Sequence, residues 1–304
     1  MRPDVIAVFG PTGVGKTEVV RELAALLGDH DPVGVSADAI AVYEGLDVLA
    51  AKPPAEGLDH RLLSFVPVDE EFSAGRYAEL AHDEIDRLVD GGRTPIVVGG
   101  TGLYLRAALT DLDLRPPPEP DLRERLEREL AEVGPAPLHG RLSADTARNV
   151  HPNDRKRIVR ALELELTGHA PHARSDELWS DRLRRPTALF GLTMDRDALI
   201  ERIRGRVAEM LAGGAIEEVE RAIELGASRT ARKALGFKEI AAHLSGDLSL
   251  EDARARIERG HIAYVKRQQT WMRKLARVEI IDRTTLTAAE AAVCIHARGS
   301  GSTA

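Results

Sequence analysis

The sequence predicts an α/β protein: a parallel sheet flanked by helices, interrupted by a helical insertion and followed by a mostly helical C-terminal part. Three observations predict it. Short, wholly apolar runs such as Val5–Phe9 recur early in the chain, as buried parallel strands require. Segments with helical apolar spacing alternate with them, which implies a parallel sheet. The rhythm then stops at Arg115-Pro-Pro-Pro-Glu-Pro120 and resumes only near Thr187.

In chain order, Val5–Phe9 is the first strand, and a helix over Glu18–Leu27 follows a glycine-rich turn. Val33–Ser36 is the second strand. Ala74–Val89 has helical spacing and ends at Gly91-Gly92. Pro95–Val98 is the third strand and runs into Gly99-Gly100-Thr101-Gly102. From Asp121 to about Arg185 the chain is polar, charged and helical. Thr187–Leu192 is the fourth strand. Helices are expected over Arg196–Leu211, Ala215–Leu225, Ala234–Leu244 and Leu250–Leu275. The tail Arg298–Ala304, rich in Gly, Ser and Thr, is expected to fray. The expected organisation is a core of residues 1–116 and 186–304 with a helical insertion domain over 117–185.

With 304 residues, 43% of them hydrophobic, the chain can bury a sizeable core and does not resemble a disordered or fibrous sequence. No apolar run approaches the ~20 residues that span a bilayer. Met1-Arg2-Pro3-Asp4 lacks the layout of a signal peptide. The single cysteine, Cys294, excludes an internal disulfide and any cysteine-cluster metal site. A soluble cytoplasmic protein without membrane partners is expected. The net charge of −7 weighs against a nucleic-acid partner. Between Arg254 and Arg277, however, eight Lys or Arg residues face the single acid Glu258. Such a run reads either as a solvated helix face or as a local phosphate-binding patch.

Gly10-Pro11-Thr12-Gly13-Val14-Gly15-Lys16-Thr17 matches the phosphate-binding loop G-x-x-x-x-G-K-[ST] in full, with a strand before it and a helix after it. Its glycines let the backbone wrap phosphate oxygens. The helix behind it offers free N–H groups and a positive dipole end. Lys16 supplies charge, and Thr17 places a hydroxyl on Mg²⁺. The sheet is therefore expected to be P-loop NTPase-like. Enzymes of that type commonly hold Mg²⁺ with an aspartate ending a buried strand. Here Pro95–Val98 ends in Gly-Gly-Thr, and the prominent acid is Asp38, after the second strand. At the carboxyl edge of the sheet it suits a base in group transfer; equally, it suits a turn or a helix cap.

Further blocks follow in order: Ser36-Ala37-Asp38, Val42–Asp47, Ala51-Lys52-Pro53, His60–Leu63, Phe72-Ser73-Ala74 and Val98–Tyr104. After them come His151-Pro152-Asn153-Asp154 with Arg157 and Arg160, Gly191–Met194, Ala234–Glu239 and Lys266–Arg273. Together they resemble bacterial tRNA dimethylallyltransferases along most of the chain, the His-Pro-Asn-Asp and Lys-Arg-Gln-x-Thr-Trp blocks most specifically. The resemblance implies transfer of a dimethylallyl group from dimethylallyl diphosphate to N6 of the tRNA adenosine just 3′ of the anticodon (position 37), with Mg²⁺ as cofactor and the protein acting as a monomer. It implies Asp38 as the base and Thr101 beside donor and acceptor. It implies a base flipped into a channel and an insertion domain that grips the anticodon stem. Arg155, Lys156, Arg157 and Arg160 in that domain, and Lys266, Arg267, Gln268 and Arg273 on the basic helix, are the expected tRNA contacts. For Thr101 a helix N-cap is the plain alternative, for His151 a turn, and for Asn153 or Asp154 the cap of the helix after it.

The sequence departs from the family beside the expected base. Ala39 and Ala41 stand where Ser and Gln are usual, and Leu49 and Ala50 where Gly and Thr are. Side-chain hydrogen bonding is lost there, which bears on acceptor recognition more than on donor binding. Three rivals stay open: an isopentenyltransferase using free adenine nucleotide, a small-molecule P-loop kinase, and a non-catalytic RNA-binding relative.

Overall fold

The computed structural model describes residues 3–54, 56–116, 119–169 and 178–301. The chain divides into two units, Met1–Asp111 with Asp181–Ala304, and Leu112–Ser180.

The first unit is built on β1 (Val5–Phe9), β2 (Pro32–Ser36), β3 (His60–Arg61), β4 (Thr94–Gly99), β5 (Thr187–Thr193) and β6 (Glu279–Asp282). Among the described residues these form one sheet in the order β3-β2-β4-β1-β5-β6, and every neighbouring pair is parallel. All five residues of β1 are buried, because helices cover both faces of a parallel sheet. In register, Phe9 lies beside Gly99 of β4 and Gly191 of β5. The first covering helices are α1 (Lys16–Leu27), α2 (Asp47–Ala50), α3 (Ala74–Asp90) and α4 (Gly102–Leu109).

The four expected strands are present: β1 has the expected bounds, and β2, β4 and β5 are a residue longer at one or both ends. β3 and β6 were not expected. Both lie at sheet edges; β3 has two residues, and only Ile281 of β6 is buried, so neither produces an apolar run. The first helix begins at Lys16, two residues before the expected Glu18, because Gly15 in the left-handed region (φ 86°) turns the chain directly into it.

In the second unit, α5 (Pro120–Val133), α6 (Pro135–His139), α7 (Ala144–Asn149) and α8 (Arg155–Leu166) enclose their own small core, including Leu126, Leu138, Ile158 and Leu162. Asp154 caps α8, accepting from the Arg157 amide at 3.1 Å. Part of the expected insertion, residues 117, 118 and 170–177, lies outside the described residues.

The C-terminal part of the first unit contains α9 (Arg196–Ala212), α10 (Ala215–Glu224), α11 (Phe237–Leu244), α12 (Leu250–Met272) and α13 (Ala288–Gly301). Gly236 at φ 99° delays α11 beyond the expected Ala234. The tail was expected to fray from Arg298, but α13 continues to Gly301 because Ala291, Ala292 and Ile295 bury its face and it packs on α1. Residues 302–304 lie outside the described residues. Among the described residues no helix is long and apolar enough to cross a membrane.

Candidate active site

Three loops leave the carboxyl ends of adjacent strands: Gly10–Thr17 after β1, Ala37–Ala41 after β2 and Gly100-Thr101 after β4. Such an edge is where parallel α/β sheets place ligands. Gly13 (φ 82°) and Gly15 (φ 86°) occupy the left-handed region, so the loop curls back on itself before α1. Gly15 gives α1 no side-chain cap, which leaves first-turn amides for an anion.

Lys16 curls into this loop, and its Nζ donates to the carbonyls of Gly10 and Pro11, both at 2.9 Å. Burial lowers its pKa to about 8, with a further push from the Arg206 charge and an opposing pull from Asp38. Arg202 of α9 holds the other side of the loop, donating from Nε to the Gly13 carbonyl at 2.8 Å. Pro11, Thr12 and Val14 are buried, and Thr17 is exposed at the start of α1. Among the described residues no group of three or more His, Cys, Asp or Glu could hold a metal. A cation here would rely on the Thr17 hydroxyl, ligand oxygens and water, a donor set that suits Mg²⁺.

The acid loop stays beside the loop after β4 because β2 and β4 pair in parallel up to Ser36 and Val98. The Ala37 amide donates to the Val98 carbonyl at 2.8 Å. A Cβ on Gly99 would lie 2.1 Å from the Ala37 carbonyl oxygen, so only glycine fits there. Asp38 is half-buried, and its Oδ1 accepts from the amides of Ile40 (2.9 Å) and Ala41 (3.3 Å). It is thus a turn residue by geometry, with its carboxylate held toward the other two loops. Its charge is felt by Lys16, by Arg206 and by the Tyr264 hydroxyl.

Thr101 occupies the N-cap position of α4 but makes no side-chain cap bond. Its Oγ1 instead accepts from the Ala39 amide at 3.4 Å and lies 3.4 Å from the Tyr264 hydroxyl. The loop is held by main-chain bonds that need no polar side chain at positions 39 and 41. Backbone amides fix Asp38, and Thr101 takes the amide of Ala39. Leu49 is buried, and its amide, with those of Asp47 and Val48, donates to the Glu218 carboxylate.

The long helix α12 braces all of this. Gln268 is only 3% exposed, and both ends of its amide are used. Nε2 donates to the Gly100 carbonyl at 2.9 Å, and Oε1 accepts from the Thr12 amide at 3.0 Å. Gln268 was expected to contact tRNA; it lies instead inside the protein, tying the P-loop to the loop after β4. Replacing it by leucine leaves the Thr12 amide and Gly100 carbonyl unpaired, at about 1–3 kcal/mol each. Gln268→Leu is therefore expected to lower the thermal midpoint and raise the donor KM together. An unchanged midpoint would show the brace to be dispensable.

Arg206 of α9 was not singled out from the sequence. Its Nε is buried with no hydrogen-bond partner, and its charge perturbs Lys16 and His261. It also lines a cleft of about 800 Å³ with Val48, Pro53, Leu58, Leu63 and Met210. Its sequence signal was positional, since Arg206 sits within the apolar stripe Leu199, Ile203, Val207 and Met210.

The remaining expected RNA contacts divide by environment. In the second unit Arg155, Lys156 and Arg157 are exposed on the first turn of α8. Arg155 donates to the Leu130 carbonyl at 3.1 Å, and Arg157 pairs with Asp154 at 3.5 Å. Arg160 differs from these: it is half-buried, bonded to the carbonyls of Arg115 and Pro116, and lies 3.2 Å from Glu163, a carboxylate it shares with Arg123. His151 is exposed, and its Nδ1 accepts from the Asn153 amide at 3.2 Å, as a turn residue does. On α12, Lys266, Arg267 and Arg273 are exposed, and the Arg267 guanidinium lies 5.2 Å from the Tyr264 ring centre.

Comparison with known proteins gives a consistent picture. Residues 41–275 match the model of the family described as IPP transferase. The chain is 38% identical over 288 residues to a tRNA dimethylallyltransferase of Desulforudis audaxviator, covering 92% of each chain. It is 42% identical over 288 residues to one of Streptomyces griseus, covering 91% of this chain and 89% of the relative. Its fold is similar to the crystal structure of the full-length tRNA isopentenylpyrophosphate transferase of Bacillus halodurans, with a TM-score of 0.71 at 33% identity. That match covers 98% of this chain and 95% of the other.

Proposed function

The chain belongs to the IPP transferase family, and from that premise we propose how its site works as a tRNA dimethylallyltransferase. The protein transfers a dimethylallyl group to N6 of the adenosine 3′ of the anticodon in tRNA and releases diphosphate. The observation that carries the residue assignment is the convergence of Lys16, Asp38 and Thr101 at the ends of three adjacent strands.

The dimethylallyl donor enters by the cleft beside Arg206 and lays its diphosphate in the P-loop. The amine at N6 is a weak nucleophile because its lone pair is delocalised into the ring. As N6 attacks the allylic C1, the C1–O bond to diphosphate breaks and the N6 proton passes to the Asp38 carboxylate. Thr101, whose hydroxyl lies between the Ala39 amide and Tyr264, orients the amine. Lys16, Arg206 and the first-turn amides of α1 take up the charge growing on the leaving oxygen. Mg²⁺, held by Thr17 and the phosphate oxygens, would supply further positive charge to the diphosphate.

One chain supplies all of these groups, which supports action as a monomer, and a tRNA acceptor supports a cytoplasmic location. The exposed Arg155, Lys156, Arg157, Lys266, Arg267 and Arg273 are the tRNA contacts. Binding is expected to weaken steeply with salt despite the acidic total charge. Replacing Arg155 and Lys156 together by alanine should flatten the slope of log K against log salt by about 1.4–1.8 and leave donor binding unchanged. An unaltered slope would remove both residues from the interface.

The assignment is tested with labelled dimethylallyl diphosphate offered to tRNA, adenosine monophosphate or no acceptor. Label should appear in tRNA alone. Label in the free nucleotide would favour the nucleotide-using rival.

A further inference from the structure

Polar residues interrupt the buried stripe of α12. Its buried positions are Ala253, Ile257, His261, Val265, Gln268 and Met272, spaced three and four apart. Gln268 is accounted for by its bonds to Thr12 and Gly100. His261 is not: it is 2% exposed, and neither ring nitrogen has a hydrogen-bond partner. An imidazole buried without partners carries a desolvation penalty that a leucine would avoid.

A second unpaired group lies close by. Arg206 on α9, which packs against α12, has a buried Nε with no partner, and its charge reaches His261. The same charge reaches Lys16, so Arg206 links His261 to the phosphate loop. Burial first, and the Arg206 charge second, lower the His261 pKa to about 4, which keeps the ring neutral near pH 7. A neutral imidazole has one accepting nitrogen, whereas a guanidinium has only donors. The two unsatisfied groups are therefore complementary.

We propose that His261 is a positioning residue for Arg206: when diphosphate binds, its accepting nitrogen takes one guanidinium N–H and turns the remaining donors toward the phosphate oxygens. This rests on the reading of Gly10–Thr17 as the diphosphate cradle. Leucine at this position would preserve packing but could not orient the arginine.

The test is titration calorimetry of inorganic diphosphate with Mg²⁺ into the full-length protein, alongside steady-state kinetics. If the wild type binds no diphosphate, the cradle reading fails, and this inference with it. With wild-type binding established, His261→Leu is expected to weaken diphosphate binding on the order of tenfold and to raise the donor KM alike. Its kcat and tRNA affinity should change little, and its thermal midpoint should hold or rise because the unpaired ring is gone. His261→Gln retains an acceptor and should restore most of the affinity. In an Arg206→Ala background, His261→Leu should add nothing. Equal diphosphate affinity in wild type and His261→Leu overturns the proposal, and so does an undiminished effect in the Arg206→Ala background. A measurement on the wild type needs no stable leucine variant. The ¹⁵N signals of the His261 ring, identified by their loss in His261→Gln, should move when diphosphate is added. Unmoved signals overturn the proposal.

Discussion

Lys16→Ala should lower kcat/KM for the dimethylallyl donor by roughly 10²–10³-fold and leave the fold intact. In the free protein the Lys16 ammonium is directed at two carbonyls of its own loop, Gly10 and Pro11. It is thus already placed where the leaving diphosphate gathers charge. The loop does not depend on Lys16 for its shape, because Gln268 and Arg202 hold it from either side. Circular dichroism should therefore match the wild type, with the thermal midpoint responding only to the loss of the two Lys16 bonds to Gly10 and Pro11. Burial and the neighbouring Arg206 bring the Lys16 pKa down to about 8. Diphosphate affinity should then weaken as pH rises through about 8, where an ordinary lysine would still be charged, and Lys16→Ala should lose that dependence. Turnover within a few-fold of wild type would remove Lys16 from the leaving-group site.

Asp38→Asn should reduce the rate of transfer by about 10²–10⁴-fold with donor affinity nearly unchanged. The substitution separates two roles that the structure combines. The Asn side-chain oxygen can still accept from the amides of Ile40 and Ala41, so the turn persists. What disappears is the ability to take a proton from N6. Single-turnover kinetics with saturating tRNA isolate the chemical step. If the rate is unchanged and only stability responds, Asp38 is a turn residue alone and the base lies elsewhere.

The positions of these two residues after β1 and β2 were legible because each follows a pattern with a local physical cause, whereas the role of Asp38 as base comes from the resemblance alone. Apolar runs mark β1, β2, β4 and β5, and the glycine spacing of the P-loop marks the cradle. The edge strands β3 and β6 were illegible because a short edge strand needs little apolar surface. Gln268 was read as an RNA contact because it sits in a basic run; its burial depends on how α12 crosses two distant loops. Arg206 and His261 escaped notice for a related reason. His261 occupies a core position in a helical repeat and Arg206 lies beside one, and a polar residue there becomes informative only when the period is followed residue by residue. Arg160, a basic residue beside exposed ones, is half-buried because it bonds the carbonyls of Arg115 and Pro116 and shares Glu163 with Arg123, which a basic run does not reveal.

The bond between Thr12 and Gln268 also bears on when the protein can become active. Its two ends are separated by 256 positions. At the ~5–20 residues per second of protein synthesis, roughly 13–51 s pass between their appearance. Until α12 is made, the P-loop is held from one side only, by Arg202 of α9, and the loop after β4 has no tie to it. A nascent or truncated chain therefore holds the phosphate motif without an assembled site. Catalytic competence arrives only once α12 has been made, so chains that stop before it should release neither diphosphate nor prenylated product.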